Sequence, residues 1–572
     1  MLVTKPDKNV SREWRKDSKR LKDTNSLHFL RSSLNVQEET KVSSYDFNES
    51  INEDFSRDSF GKLNFIAPID GSKIASLNDF ICGSQLAILS RLHHNLANVS
   101  SLDRDNPLFK DLFGVLHSYR DLLFFNRSLE NASSIRLSYC LHILNHVMKT
   151  RARVLLNSER CLTLTRPSVL ILLPQKSAAL QVISTLIQLM EGDNVDLEVA
   201  HKKRFFNEYG IDEDVKPISE KRPADFRALF NGNNDDHFRM GIKVLPRKIK
   251  LYNKISLCDI IVCSPLALHA LIGTESDSHN EKEFLSSLQI VCMDQAEMFL
   301  MQNPEHLFSI FRQLNLLPKQ FPEVDFTKLF EYVLDKQAKY FRQTLLFSSV
   351  QCAEFVALFN RSCRNYSGRF TSVVHHSSDQ LHLVNVTMPH AFHRVSCHNI
   401  AAHPQCLFDF FVETIFPQLQ ANSIKQTLVF IPSYYDFVKV RNFLRRQDAS
   451  FHDISEYTSH GHSVKFRQSF ANEKVNLLLI SERYHFFNRF QIKGIRRIIF
   501  FQLPTFPHFY SELCNMIGST ITNSEESQDV DCSVTVILTK FDMYRLSPVL
   551  STSRCSQIIN SKQSLNVFLS GE

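Results

Sequence analysis

Glycine is scarce in this sequence: 14 residues in 572, against 47 phenylalanines. A loop that wraps a phosphate needs glycine so that backbone N–H groups can approach the anion, so the scarcity counts against such a loop. The pattern G-x-x-x-x-G-K-[ST] is missing, and the Gly-Lys pair that does occur, Gly61-Lys62, is followed by Leu63. The 13 cysteines contain no C-x-x-C pair. Several, such as Cys263 and Cys292, lie in apolar strand-like runs, which fits reduced, buried thiols in an intracellular chain and not a zinc site. No apolar run reaches about eighteen residues, which excludes a membrane-spanning helix. The start, MLVTKPDKNV, is charged and lacks the apolar core of a secretory signal. Neither G-x-S-x-G nor H-E-x-x-H occurs, so two common hydrolase signatures are absent. A soluble, intracellular chain is expected.

What is present is a chain long enough for two or three domains, with 43% hydrophobic and 22% charged residues, hence mostly globular. The net charge of +6 permits a polyanionic partner without demanding one. Residues 1–75 are mostly polar and are expected to form a disordered tail. Within it SREWRKDSKRLKD (11–23) is basic, which fits a nuclear import signal, an RNA-contacting arm or a plain solvated tail. Helical spacing dominates from about residue 75, as in SSIRLSYCLHILNHVMKTRARVLLN (133–157). Then strand–helix units recur: VLILLP (169–174) before SAALQVISTLIQLM (177–190), then segments 259–273, 288–302 and 343–360. A second series follows at 426–446, 475–490, 495–504 and 534–540, and residues 191–222 read as a charged insertion. Short apolar runs alternating with helices predict parallel sheets covered on both faces. The fold class is therefore α/β, with a helical lead-in and first domain over 76–380 and a second domain over 381–572.

Two tandem domains of this kind, with an aspartate at a strand end, resemble the RecA-like lobes of a superfamily-two helicase. The order of sites is consistent: LLPQKSAA (172–179), CSPLALHA (263–270), DQAE (294–297) and FSSV (347–350) stand where the helicase motifs would. The chemical residues are eroded. Asp294 could still hold a Mg²⁺-bound water. Gln295, beside Ala296, cannot accept a proton, and loss of a general base typically costs about 10²–10⁴ in rate. Glu297 keeps a negative charge, with a longer reach than the helicase Asp. Lys149-Thr150 lies near the expected phosphate lysine, within a helical pattern. In the second domain the corresponding strings are Ile480-Ser481-Glu482-Arg483, Asn488-Arg489-Phe490-Gln491 and FYSELCNMIGS (509–519), the last without arginine. Missing arginines forfeit a stabilisation worth about 10³–10⁵ in related nucleotide hydrolases.

NGNNDDHFR (231–239) puts Asp235, Asp236 and His237 side by side, which suits a turn better than a metal site, and no metal or cofactor is predicted. His375-His376 and the His460/His462 pair read as loop residues. Basic residues gather at Arg247, Lys248, Lys250 and Lys254, at Arg441, Arg445 and Arg446, and at Arg489, Lys493, Arg496 and Arg497. With interleaved Phe and Tyr they are candidate RNA contacts: charge for the backbone, rings for the bases.

Longer strings are more specific. YRDL (119–122), LHILNHVMKTR (141–151), LFNGNNDDHFRMGI (229–242), DQAEMFLMQNPEH (294–306) and SERYHFFNRFQIKGIRRIIFFQLPTFPHFYSELCNM (481–516) resemble the U3 small nucleolar RNA-associated protein 25 (digestive organ expansion factor) family. The resemblance covers about residues 105–572. It implies a degenerate DEAD-box-like fold of two lobes, with Gln295 as a family trait. It also implies a place in the nucleolar small-subunit processome beside pre-ribosomal RNA, U3 small nucleolar RNA and other processome proteins, in early cleavages towards 18S RNA. The family's tail is usually long and strongly acidic; here it is short. The primary expectation is a non-catalytic RNA- and protein-binding scaffold. The alternatives are a weak RNA-dependent ATPase with a pocket around Asp294 and Lys149, and a protein-interaction module that never touches RNA.

Overall fold

The computed structural model describes residues 50–68, 88–96, 99, 101–156, 166–192, 197–211, 218–273, 282–317, 332, 335–421, 426–521 and 532–570. The basic run 11–23 lies outside them. The chain divides into two compact units: the first ends at Val374, and the second takes Val350–Ala353 and the chain from His375 onward.

Among its described residues the first unit carries eleven strands: β1 (Ser50–Arg57), β2 (Gly61–Pro68), β3 (Asp121–Phe124), β4 (Val169–Leu172), β5 (Glu198–Ala200), β6 (Arg239–Leu245), β7 (Lys248–Lys250), β8 (Ile260–Cys263), β9 (Ile290–Met293), β10 (Gln343–Phe347) and β11 (Arg369–Val373). Their order is β1-β2-β11-β3-β10-β9-β4-β8-β6-β7-β5. From β11 to β8 every neighbouring pair is parallel. The runs that build this centre (DLLF, VLIL, IIVC, IVCM and QTLLF) are buried throughout. Such branched, apolar runs suit strands covered on both faces. The main helices are α1 (Pro107–His117), α2 (Ala132–Leu156), α3 (Lys176–Met190), α4 (Lys202–Tyr209), α5 (Pro265–Ile272) and α6 (Glu297–Met301).

Two expectations about this unit fail. Part of the polar segment 1–75 is built into the sheet: β1 pairs with β2 from Ser50↔Pro68 to Arg57↔Gly61, and β2 pairs with β11. Leu63, Phe65 and Ala67 alternate inward and are buried, and Phe65 lies 4.9 Å from Phe370. Apolar burial on one face outweighs the polar composition of the other. Likewise, 191–222 is not merely a charged insertion, since α4 buries Phe205 and Tyr209.

Among its described residues the second unit has seven strands: β12 (Pro389–Arg394), β13 (Thr427–Ile431), β14 (His452–Ile454), β15 (Leu477–Ser481), β16 (Arg497–Phe500), β17 (Ser533–Leu538) and β18 (Leu565–Leu569). They run in the order β14-β15-β13-β16-β17-β12-β18, parallel except for β18. Helices α7 (Tyr434–Arg446), α8 (Glu482–Asn488) and α9 (His508–Ile521) follow β13, β15 and β16. Ser433 and Ser481 cap α7 and α8 by accepting N–H bonds from Asp436 and Tyr484. Both units have the RecA-like α/β architecture expected from the sequence.

Candidate functional site

The helicase-like strings LLPQKSAA, CSPLALHA, DQAE and FSSV follow β4, β8, β9 and β10, at the carboxyl ends of parallel strands where α/β proteins place their sites. The phosphate-binding loop of such a lobe joins a strand to its helix, and here that loop follows β3. It reads Phe125-Asn126-Arg127-Ser128-Leu129-Glu130-Asn131, without glycine, and several of its polar groups bond within the chain. Asn131 Nδ2 donates to Asn126 O at 2.7 Å, and Ser128 N donates to Asn131 Oδ1 at 2.8 Å. The Arg127 amide donates to Ser348 O at 3.3 Å.

The Arg127 side chain turns inward onto the acidic turn. Its Nε donates to Asp294 Oδ1 at 2.6 Å, and its Nη1 lies 3.8 Å from Glu297 Oε1. Asp294 Oδ1 also accepts the Gln295 amide at 2.8 Å, and Oδ2 accepts the Tyr139 hydroxyl at 3.0 Å. Glu297 Oε2 accepts the Ser349 amide at 3.1 Å. All three charged side chains are sealed: 6% exposed for Arg127, 2% for Asp294 and 5% for Glu297. Burial opposes the guanidinium charge, but the Asp294 and Glu297 carboxylates outweigh it and hold Arg127 above its ordinary range. Burial, reinforced by Asp294, pushes the Tyr139 hydroxyl well up, so it stays a proton donor.

In P-loop enzymes the corresponding aspartate holds magnesium and the loop lysine meets phosphates. These residues do not fit a magnesium–nucleotide group. Both oxygens of Asp294 have protein donors, the loop carries no glycine, and the Arg127 guanidinium already supplies a positive charge to the carboxylates. Gln295 carries the turn in the left-handed region at φ 55° and brings an amide, not a base.

Several predicted residues lie elsewhere. Lys149 is not near the acidic turn: it lies ten residues past Tyr139, the residue of α2 that bonds Asp294, roughly 15 Å along the helix axis. There it is buried beside His117, His142 and His146, and burial lowers its pKa to about 8. A pocket built from Asp294 and Lys149 is therefore ruled out by distance. Asp235 pairs with Lys176 at 2.8 Å, and the Asn233 and Asp235 carbonyls accept the Ser177 and Lys176 amides. The NGNND turn thus closes the start of α3. Among the described residues no group of three or more His, Cys, Asp or Glu is placed to hold a metal.

In the second unit Glu482, where the helicase has Asp, is buried and accepts the Thr505 amide at 2.6 Å and its hydroxyl at 2.8 Å. It ties β15 to the segment after β16. Arg489, a proposed RNA contact, is the clearest correction among the basic residues. At φ 44° it ends α8, its side chain is 2% exposed, and it bonds Glu512 and His508. Its guanidinium covers the Phe509 ring at 4.2 Å. Arg497 also turns inward, half-buried, to Gln418 and Thr535. Arg247, Lys250 and Lys493 are exposed; Lys248 pairs with Glu198, Arg441 and Arg445 with Asp453, and Arg496 with Glu473. Such part-exposed pairs are weak and leave charge available to a polyanion.

Sequence reasoning missed Arg127 because it missed β3. The signal was a short apolar run, Leu122–Phe125, bounded by Asp121 and by Asn126-Arg127-Ser128.

Residues 119–370 match a family model described as UTP25, NTP hydrolase-like domain, and residues 380–568 match Utp25, C-terminal domain. The U3 small nucleolar RNA-associated protein 25 homolog of Homo sapiens is 40% identical over 483 residues, covering 82% of this chain and 63% of that protein. The U3 small nucleolar RNA-associated protein 25 of Schizosaccharomyces japonicus is 36% identical over 498 residues, covering 85% of this chain and 76% of its own length. The chain thus spans just under two thirds of its vertebrate relatives. Yeast Dbp5 bound to RNA and ADP BeF3 aligns over 84% of this chain and 93% of its own at 10% identity, with a TM-score of 0.27, too low to carry an argument.

Proposed function

The chain belongs to the U3 small nucleolar RNA-associated protein 25 family, and from that premise we propose that it is a non-catalytic RNA- and protein-binding component of the nucleolar small-subunit processome. Its role is in the early pre-ribosomal RNA cleavages that lead to 18S RNA, in the nucleus and nucleolus. Its partners are pre-ribosomal RNA, U3 small nucleolar RNA and other processome proteins. The observation that carries the non-catalytic part is the Arg127 guanidinium seated on Asp294. A lobe whose acidic turn is neutralised from within has no use for a nucleotide, so what remains is shape and charged surface. On that surface Arg247, Lys248 and Lys250 in the first unit, and Arg441, Arg445, Lys493 and Arg496 in the second, are the proposed RNA contacts.

The test is crosslinking in cells followed by sequencing of the recovered RNA. The full chain is expected to recover U3 and pre-ribosomal RNA. Arg247→Glu with Lys250→Glu should cut recovery and, with purified protein, flatten the salt dependence by about one unit of slope per lost phosphate contact. Recovery of no RNA by the unaltered chain would overturn the reading in favour of a pure protein-interaction module.

A further inference from the structure

The ion pair at the acidic turn joins three strand ends. Arg127 follows β3, Asp294 and Glu297 follow β9, and Ser348-Ser349 follow β10. Each is tied to the next: the Arg127 side chain to both carboxylates, the Arg127 amide to Ser348 O, the Ser349 amide to Glu297, and the Ala296 amide to Phe347 O at 3.0 Å. Two buried carboxylates side by side repel one another and are costly out of water, so a counter-charge is required there. In a lobe that takes nucleotide, a divalent cation provides it. Here the chain provides its own, fixed by the Tyr139 hydroxyl and the Gln295 amide on the remaining lone pairs of Asp294.

We propose that Arg127 is a built-in replacement for the divalent cation of this lobe, and that removing its side chain uncovers a latent divalent-cation site on Asp294 and Glu297. This rests on the non-catalytic reading above and adds what took the cation's place. The unaltered chain is closed to Mg²⁺ at this turn because the guanidinium occupies the carboxylate face the ion would coordinate. The vacated space in an Arg127→Ala protein is lined by carboxylate and phenol oxygens, the hard donors that Mg²⁺ and Mn²⁺ prefer.

The test is a Mn²⁺ titration followed by electron paramagnetic resonance, with thermal unfolding, on the purified full chain. The unaltered protein is expected to bind no Mn²⁺ that Asp294→Asn abolishes. Arg127→Ala should lower the melting temperature of the first unit by about 5–10 °C, since it strands two buried charges. It should also bind one Mn²⁺, recover part of its melting temperature with the ion, and lose both gains when Asp294→Asn is added. The triple variant Arg127→Met, Asp294→Asn, Glu297→Gln should fold near the unaltered temperature and bind no Mn²⁺, and it serves if Arg127→Ala does not fold. Mn²⁺ held at Asp294 by the unaltered chain would overturn the proposal. So would Arg127→Ala that folds and gains no Mn²⁺, or a triple variant as unstable as Arg127→Ala. Any of these leaves the crosslinking result for RNA untouched.

Discussion

At the scale of residues, the first unit keeps its ionisable groups inside by two different means. Arg127, Asp294 and Glu297 neutralise one another. The histidines behind the sheet are kept neutral instead. His142 Nε2 meets Gln343 Oε1 at 2.8 Å, His146 Nε2 meets Gln289 Oε1 at 2.8 Å, and Tyr119 lies between the rings. Burial, with Lys149 nearby, lowers His142 to about 3 and His146 to about 4, and drives His117 down as well. Above pH 6.5 these groups are neutral folded or unfolded and contribute nothing to the pH dependence. As pH falls from about 6.5 towards 4, the unfolded chain takes up protons that the folded unit refuses, so stability drops. Each such histidine contributes on the order of 1 kcal/mol per pH unit in that window. Asp121 and Asp259 work the other way: burial raises them to about 7 and about 6, so acidification favours their folded forms, but they are two groups against three. The urea midpoint of the first unit is therefore expected to fall between pH 7 and pH 4.5. A midpoint that holds or rises would show that the cluster does not stay neutral.

At the scale of elements, the β1–β2 hairpin belongs to the core of the first unit. Phe65 is 1% exposed and packs at a tilt against Phe370, and the Arg120 guanidinium lies 4.9 Å from the Phe65 ring and 5.8 Å from that of Phe370. Phe65→Ala should cost about 3–5 kcal/mol, the range for a buried phenylalanine, read by urea unfolding; no change would return the segment to the status of a tail. Why the hairpin was read as tail is instructive. Strand residues Asn52, Glu53 and Asp54 face water and dominate the composition, while the inward alternation Leu63, Phe65, Ala67 is short. The centre of each sheet was legible because it is written in contiguous branched runs. β3 was not, because DLLF has no β-branched residue and sits between two helical patterns. The acidic turn was legible, since Asp294 stands at the end of such a run. Its partner was not: an ion pair 167 residues apart in sequence leaves no local mark at either end. Lys149 is a candidate from the Lys149-Thr150 pair and its place in the chain, and the helix carries it away from the site. Arg489 was read as surface from its charge, whereas Glu512 and Phe509 on α9 draw it inward.

At the scale of the whole molecule, two α/β units carry buried polar ties at the places where the proposed function expects phosphate handling to be lost. Arg127 and Asp294 clasp strand ends in the first unit; in the second, Glu482 ties β15 to the segment after β16 and Arg489 ties the end of α8 to α9. On the proposed function, the folded scaffold and its basic faces are what such a chain offers its partners. The most direct measurement of this account follows phosphate release and U3 RNA binding by the purified full chain, with and without Mg²⁺ and ATP. The account predicts the same Kd for RNA in both conditions and no phosphate release above that of the Asp294→Asn protein. Saturable ATP turnover that Asp294→Asn abolishes would contradict it.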